Sequence, residues 1–257
     1  MTSRRPRGRP PKYPPDEVRR RLLDAARERL KIGGVESGLD IVTLDGSIVD
    51  ADVPRGMSYR IWQDDTLTPQ DAFRRATVLD LLSIPATAGL PATREVTEKL
   101  LAENRDALEG ATADERQELI REMARRVGKF NYTALANSSN WRLYMALRTA
   151  AITRPNADPA LIDVLCAGEN YLIEQYSLLY EDVRVAFGME LREGLTMEQF
   201  AAAAYAVNEG LATRMTDHPN RENIMLATGE DGEEQPWTLF SIAFLALIDR
   251  FFTIGPS

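Results

Sequence analysis

The chain has 257 residues, of which 44% are hydrophobic and 27% charged, and its formal net charge at pH 7 is −8. This composition excludes a disordered chain, a collagen-like repeat and a disulfide scaffold, and the length suffices for a sizeable core in one or two domains. The single cysteine, Cys166, cannot form an intrachain disulfide. No secretory signal is present, and the longest apolar run, residues 237–248, is too short for a bilayer. We therefore expect a soluble, cytoplasmic protein without membrane contacts.

The charge is distributed unevenly along the chain. Residues 1–31 contain 11 Lys or Arg and 4 Asp or Glu, a net charge of +7, whereas the remaining residues carry −15. Arginine outnumbers lysine 27 to 4, a bias that codon usage can explain for the chain as a whole. The clustering is the informative feature, because a basic end on an acidic body predicts a polyanionic partner for the N-terminus.

Residues 1–15 hold five basic residues, five prolines and no acid, which predicts a disordered, mobile arm. The arm contains the sequence RGRPPK at positions 7–12, which resembles the AT-hook core. The resemblance implies that two arginines enter the narrow minor groove of A·T-rich DNA while glycine lets the backbone approach the groove floor. The alternative is a basic tail with only nonspecific phosphate affinity. The candidate contacts are Arg7, Gly8, Arg9, Pro10 and Lys12.

The first helical pattern follows the arm. From Asp16, apolar residues recur at spacings of three and four until Gly33-Gly34, which predicts an amphipathic helix. Residues 43–53 predict a short helix, Pro54-Arg55-Gly56 a tight turn, and residues 57–62 the start of another helix. Thr68 and Pro69 have the residue types of a helix cap and first position, and that helix should run to about residue 84.

The remaining chain also has helical spacing, interrupted by Pro, Gly and Asn. The predicted helices span residues 93–108, 112–136, 140–152, 159–187, 196–216 and 237–253. No alternating pattern is strong enough to predict a strand, although residues 39–42 are ambiguous, and residues 218–235 predict an exposed acidic loop. The fold class is therefore predicted to be all-α.

Two segments carry a resemblance to a known family. Residues 22–34, LLDAARERLKIGG, and 53–62, VPRGMSYRIW, resemble the DNA-binding domain of the TetR family of transcriptional regulators. The resemblance covers residues 16–65 and identifies Val53 with the turn valine, Tyr59 with the recognition-helix tyrosine and Trp62 with its terminal aromatic residue. It implies three parts: the arm 1–15, a three-helix helix-turn-helix domain 16–66, and a larger helical effector-binding and dimerisation domain 67–257.

The predicted recognition helix offers several hydrogen-bond donors to DNA. A helix begun at Arg55-Gly56 would direct its first turn at the major groove. Trp62 is expected in the core, whereas Tyr59 could contact a phosphate or simply pack. Thr43 could hold a phosphate through its hydroxyl and backbone N–H. The candidate DNA-binding residues are Thr43, Arg55, Gly56, Ser58, Tyr59 and Arg60.

Acidic residues set this segment apart from the family pattern. Asp45, Asp50 and Asp52 lie in or beside the first helix of the motif, and Gln63-Asp64-Asp65 follows the aromatic residue where the family commonly has a lysine. These residues predict fewer phosphate contacts than usual, which the basic arm would supply. They also motivate an alternative: a helical interaction protein with a degenerate helix-turn-helix and only nonspecific DNA binding.

The resemblance implies that the last two long helices form a homodimer, with ordinary intrachain core as the alternative for the same residues. The candidate interface residues are Phe200, Ala204, Phe240, Phe244, Leu247 and Phe251. An aromatic-rich middle predicts a pocket for a small apolar or aromatic effector, although each aromatic could be plain core. The candidate pocket residues are Phe130, Trp141, Tyr144, Tyr171 and Tyr176.

Catalytic patterns are missing from the sequence. No metal-ligand spacing surrounds His218, and the chain has no phosphate-binding glycine loop and no Gly-x-Ser-x-Gly elbow. We therefore expect no enzyme activity, no cofactor and no metal. The resemblance implies a bacterial sequence-specific DNA-binding regulator, expected to be a repressor relieved by a small-molecule effector, that is a homodimer on double-stranded DNA and lies at the nucleoid when bound.

Overall fold

A computed structural model describes residues 13–33, 41–83, 89–153, 159–215, 224–229 and 232–254. The prediction of an all-α fold is confirmed, because helices dominate these residues and the strands are short. The helices are α1 Pro15–Gly33, α2 Leu44–Asp50, α3 Arg55–Ile61, α4 Pro69–Ser83, α5 Leu90–Glu103, α6 Arg105–Leu108, α7 Ala113–Ala136, α8 Ser139–Ile152, α9 Pro159–Phe187, α10 Met197–Met215 and α11 Leu239–Phe251. The strands are β1 Met189–Leu191, β2 Ile224–Ala227, β3 Glu234–Trp237 and β4 Phe252–Ile254.

Local capping sets where several helices begin. Before α7, Thr112 and Glu115 form a reciprocal capping box, in which the Thr112 hydroxyl accepts the Glu115 N–H and the Glu115 carboxylate accepts the Thr112 N–H. The Thr68 hydroxyl accepts the N–H of Asp71 at 3.2 Å, so α4 begins at Pro69 as predicted. These contacts satisfy N–H groups that have no partner within the helix.

The strands correct two predictions. The segment 218–235 was expected to be an exposed loop, but β2 pairs antiparallel with β3 there. The last helix was expected to reach residue 253, but it ends at Phe251 and β4 pairs antiparallel with β1. Each strand has three or four residues, which is too few for an alternating pattern to be recognised in sequence.

The predicted helix 93–108 is divided into α5 and α6 at Asn104. The Asn104 side-chain amide donates to the carbonyl oxygen of Leu100 at 2.8 Å, at the end of α5. A side-chain donor there competes with the helical backbone pattern, which favours a break at this residue.

The described residues form two compact units, one within residues 13–83 and 146–162 and the other within residues 89–145 and 163–254. In the first unit α1 packs on α2, α3 and α4, with Val18, Leu22 and Ala26 fully buried along one face of α1. The Trp62 ring lies against Phe73, with the ring centroids 5.3 Å apart. This core holds α2 and α3 together.

In the second unit α7 packs against α5, α10 and α11. Phe200 lies at the centre of an aromatic cluster and contacts four other rings at centroid distances of 4.9–5.7 Å. Those rings belong to Tyr180, Phe244, Phe251 and Phe252. Within the described ranges, no helix is both long enough and apolar enough to cross a membrane.

Candidate nucleic-acid interface

A short turn joins α2 to α3 in the first unit. Asp52 lies in this turn with φ +49°, a left-handed conformation that aspartate tolerates better than most residues. The buried Val53 donates its N–H to the carbonyl of Ile48 at 3.3 Å, which ties the turn to α2. Pro54 then precedes α3, which begins at Arg55, two residues before the apolar pattern predicts.

One side of α3 is buried against the unit's core. Trp62 is 3% exposed, as expected for a core residue, and the Arg19 guanidinium lies 4.6 Å from its ring centroid. Ser58 is fully buried and its hydroxyl donates to the Pro54 carbonyl at 3.0 Å. The Ser58 side chain thus lies inside the unit and its hydroxyl proton is donated within the protein, while the predicted contact between Ser58 and DNA stays a prediction.

The opposite side of α3 is open. Arg55, Gly56 and Arg60 are exposed and Tyr59 is half-buried. Arg55 and Tyr59 lie four residues apart and so share one face of the helix. Of the donors predicted on α3, Arg55, Tyr59 and Arg60 thus lie on its accessible side.

Asp45 on α2 joins two of these donors. Its Oδ2 accepts from Arg55 Nη2 at 3.0 Å and its Oδ1 accepts from the Tyr59 hydroxyl at 2.9 Å. The Arg55 guanidinium also lies 5.5 Å from the Tyr59 ring centroid. The side chains of Asp45 and Arg55 are 54% and 69% exposed, so the pair is a solvated one of about 0–1 kcal/mol. A DNA phosphate or base edge can replace such a partner at small cost.

Thr43 is engaged by its own helix. Its hydroxyl accepts the Gly46 N–H at 3.1 Å as the cap of α2, and its backbone N–H donates to the Ile41 carbonyl at 3.1 Å. The backbone N–H of Thr43 is therefore occupied within the protein. The predicted phosphate contact of Thr43 stays a prediction.

Arg29 on α1 forms a hydrogen bond with a second acidic residue of α2, Asp50. This pairing was not predicted from the sequence. The Arg29 Nε donates to Asp50 Oδ2 at 2.5 Å, and this hydrogen bond lowers the pKa of the Asp50 carboxyl. A Cβ at Gly46 would lie 2.5 Å from Arg29 Nη1, so glycine leaves room for the guanidinium beside α2. The partners are 21 residues apart, and their pairing carries no local sequence signal. Asp45 and Asp50 thus each face an arginine.

The arm residues Arg7, Gly8, Arg9, Pro10 and Lys12 lie outside the described residues. Their proposed contacts with DNA therefore depend on sequence alone.

The predicted effector-pocket residues do not come together around a cavity. Phe130 and Tyr171 are 36% and 45% exposed, so neither side chain is buried, and their role in an effector pocket stays a prediction. Trp141, Tyr144 and Tyr176 are buried in the second unit, but they are not among the described residues around its apolar cavity, which instead include Thr93, Asn131 and Phe200. The rotation of each helix about its own axis, relative to the helices packed against it, decides which aromatic residues face the cavity.

The predicted interface residues are largely interior. Phe200, Ala204 and Phe240 are at most 2% exposed within one chain, so their side chains belong to its own core. Their place at a dimer interface stays a prediction. Phe244, Leu247 and Phe251 pack against the same core but are only partly buried. A dimer through α11 stays a prediction.

Comparison with known proteins gives only distant likenesses. No family model and no curated protein matches the sequence. The chain is similar to a Rhodococcus protein described as a TetR-family transcriptional regulator, with 16% identity over 93% of this chain and 100% of that chain and a TM-score of 0.40. It is also similar to Escherichia coli NemR in its reduced form, with 13% identity, the same coverage of both chains and a TM-score of 0.46. At these identities and TM-scores the likeness carries no functional conclusion.

Proposed function

We propose that the protein is a sequence-specific DNA-binding transcriptional regulator that inserts α3 into the major groove. The observation that carries this proposal is the two-sided α3, braced by buried Ser58 and Trp62 and presenting Arg55, Tyr59 and Arg60 on its open side. A short helix fixed by a preceding helix and turn is the arrangement with which helix-turn-helix proteins read base edges.

Each open residue has a distinct proposed task. Arg55, at the start of α3, is suited to a bidentate contact with O6 and N7 of a guanine. Tyr59 and Arg60 are suited to phosphate oxygens, which position the helix without reading sequence. Asp45 holds Arg55 and Tyr59 in the free protein, and DNA binding would exchange this carboxylate for base and phosphate acceptors.

The regulatory arrangement belongs to the same proposal. A homodimer would place two recognition helices about 34–36 Å apart, one helical turn of DNA, and so bind a pseudo-palindromic site. We propose that region 67–257 provides the dimer contact and an effector site, and that an effector relieves repression by favouring a spacing that no longer fits successive grooves.

The test is binding of the purified protein to DNA upstream of its own gene and to random DNA, at two salt concentrations. We expect the upstream DNA to bind about a thousandfold more tightly or better. The acidic residues Asp45, Asp52, Asp64 and Asp65 favour the second candidate, an interaction protein with a degenerate helix-turn-helix. Equal affinities with a steep salt dependence would favour that candidate and reject sequence-specific regulation.

Deleting residues 1–12 is expected to weaken binding to all DNA. The segment carries five positive charges and no acid, and each lost phosphate contact reduces the slope of log affinity against log salt by about 0.9. Salt titrations of the full and shortened chains measure this change. As a matched control, replacing Arg7 and Arg9 by lysine keeps the charge and should preserve the slope while weakening A·T-rich DNA selectively. An unchanged affinity and slope after deletion would show that the arm contributes nothing.

A further inference from the structure

We infer that the apolar cavity of the second unit binds a small, uncharged, largely apolar molecule that carries one hydrogen-bonding group. The cavity lies among α5, α7, α9, α10 and α11 and encloses about 50 Å³. The inference gives the proposed effector site a place and a ligand class, and in that respect it rests on the proposed regulatory function. The binding itself is a property of the second unit and can be measured without DNA.

The cavity wall excludes charged ligands. Phenylalanine, methionine and aliphatic side chains form most of it, including Phe240, Phe244 and Met123. Tyr180 is the one titratable residue among its described lining residues, and burial raises the pKa of its hydroxyl well above the usual value. An ionised ligand would lose its hydration without gaining a counter-charge, which is strongly unfavourable.

One part of the cavity wall is polar, and its hydrogen-bonding groups are not all satisfied. Thr93 is 2% exposed, and its Oγ1 has no hydrogen-bond partner within the described part of the chain. Asn131 is 5% exposed, and its Oδ1 accepts from the buried Tyr176 hydroxyl at 3.4 Å. Buried polar groups are nearly always satisfied, so an orphaned hydroxyl on a cavity wall indicates a missing partner.

Thr93 and Asn131 also lie close to one another. A Cβ at Gly89 would lie 3.2 Å from Asn131 Oδ1 and 3.8 Å from Thr93 Oγ1, so both oxygens lie beside the Gly89 backbone. A ligand hydroxyl that reaches this part of the cavity wall could donate to Asn131 and accept from Thr93. This geometry matches a phenol or an alcohol whose apolar body extends toward the phenylalanine rings.

The size of the cavity indicates how a ring would enter. An engineered protein cavity that binds benzene has about 150 Å³, which is larger than the 50 Å³ observed here. A ring-sized ligand must therefore displace part of the wall. Met123 is partly buried and unbranched, so it is the lining side chain best able to change rotamer.

The experiment uses phenol, toluene and benzoate as probes, titrated against the purified full chain by calorimetry and thermal unfolding. We expect phenol to bind and raise Tm, toluene to bind more weakly, and benzoate not to bind. Thr93→Val, which removes only the hydroxyl, should lower phenol affinity about tenfold without affecting toluene. Thr97→Val is the matched control, because the Thr97 hydroxyl on the same wall already donates to the Thr93 carbonyl at 2.7 Å.

Met123→Ala enlarges the cavity. This variant shows whether a probe fails to bind the native chain only because it is too large for the cavity. We expect it to bind both neutral probes more tightly. Absence of phenol binding in both the native chain and this variant would overturn the inference, as would equal binding of benzoate. Binding of phenol with no loss in Thr93→Val would overturn the assigned polar part of the wall.

The two proposals fail in different measurements. Phenol binding in a protein that binds random and upstream DNA equally would reject the proposed function and keep the inference. Sequence-specific DNA binding without phenol binding would keep the proposed function and reject the inference. With both present, saturating phenol is expected to change the affinity for the upstream DNA, and an unchanged affinity would reject the effector role.

Discussion

Phe200→Ala is expected to lower the free energy of unfolding of the second unit by about 3–5 kcal/mol. The ring is 2% exposed and contacts four other aromatic rings, so truncation leaves a cavity that rigid neighbours cannot fill. Denaturant unfolding is followed by tryptophan fluorescence in variants that keep either Trp62 alone or only Trp141 and Trp237, because Trp62 lies in the first unit and the other two in the second. The loss should be confined to the second set of signals.

Phe130→Ala provides the comparison for this prediction. This substitution removes the same number of atoms as Phe200→Ala, but the Phe130 side chain is 36% exposed. We therefore expect the free energy of unfolding to fall by less than about 1 kcal/mol. Equal losses for the two variants would contradict the assignment of Phe200 to the centre of the core. A loss reported by Trp62 as strongly as by Trp237 would show that the two units unfold as one.

Arg55→Ala is expected to reduce discrimination between cognate and random DNA by about 1–3 kcal/mol, or roughly 5- to 150-fold. The reason is that Arg55 is the exposed residue at the start of α3 whose planar guanidinium suits a guanine edge. Competition binding with both DNAs at fixed salt measures the change. Equal losses on cognate and random DNA would assign Arg55 to phosphate and remove it from base recognition.

Asp45→Asn tests the contact that holds Arg55 and Tyr59. The change keeps the side-chain size but removes the negative charge that opposes phosphate, so we expect tighter binding to both DNAs and a salt slope steeper by about one. Asp50→Asn is the matched control, because Asp50 lies at the other end of α2 and pairs with Arg29 instead. A loss of cognate binding alone in Asp45→Asn would show that Asp45 orients Arg55 for base contact and does not compete with DNA.

The local elements of this protein could be predicted from short stretches of its sequence. The Thr112 capping box, the Thr68-Pro69 helix start and the apolar spacing of α1 all act over a few residues, so their outcome is visible in a short window. The inward position of Trp62 was also predictable, because a large aromatic residue at the end of an amphipathic segment gains most from burial.

The electrostatics of the candidate interface, in contrast, depend on contacts between separate helices. Asp45 meets Arg55 and Tyr59 over separations of 10 and 14 residues, and Arg29 meets Asp50 over 21. The sequence shows the acids but not their partners, because pairing depends on the angle at which α1, α2 and α3 pack. The burial of Ser58 has the same origin, since a rotation of α3 by half a turn about its axis would have exposed this side chain.

The tertiary structure likewise decided which aromatic residues enclose the cavity. Phe200, Phe240 and Phe244 line it, whereas Phe130 and Tyr171 face solvent, although all five stand in similar helical patterns. Apolar spacing defines a face on each helix but not which neighbouring helix that face meets. That choice is made by the summed packing of the whole unit, which no single segment of sequence contains.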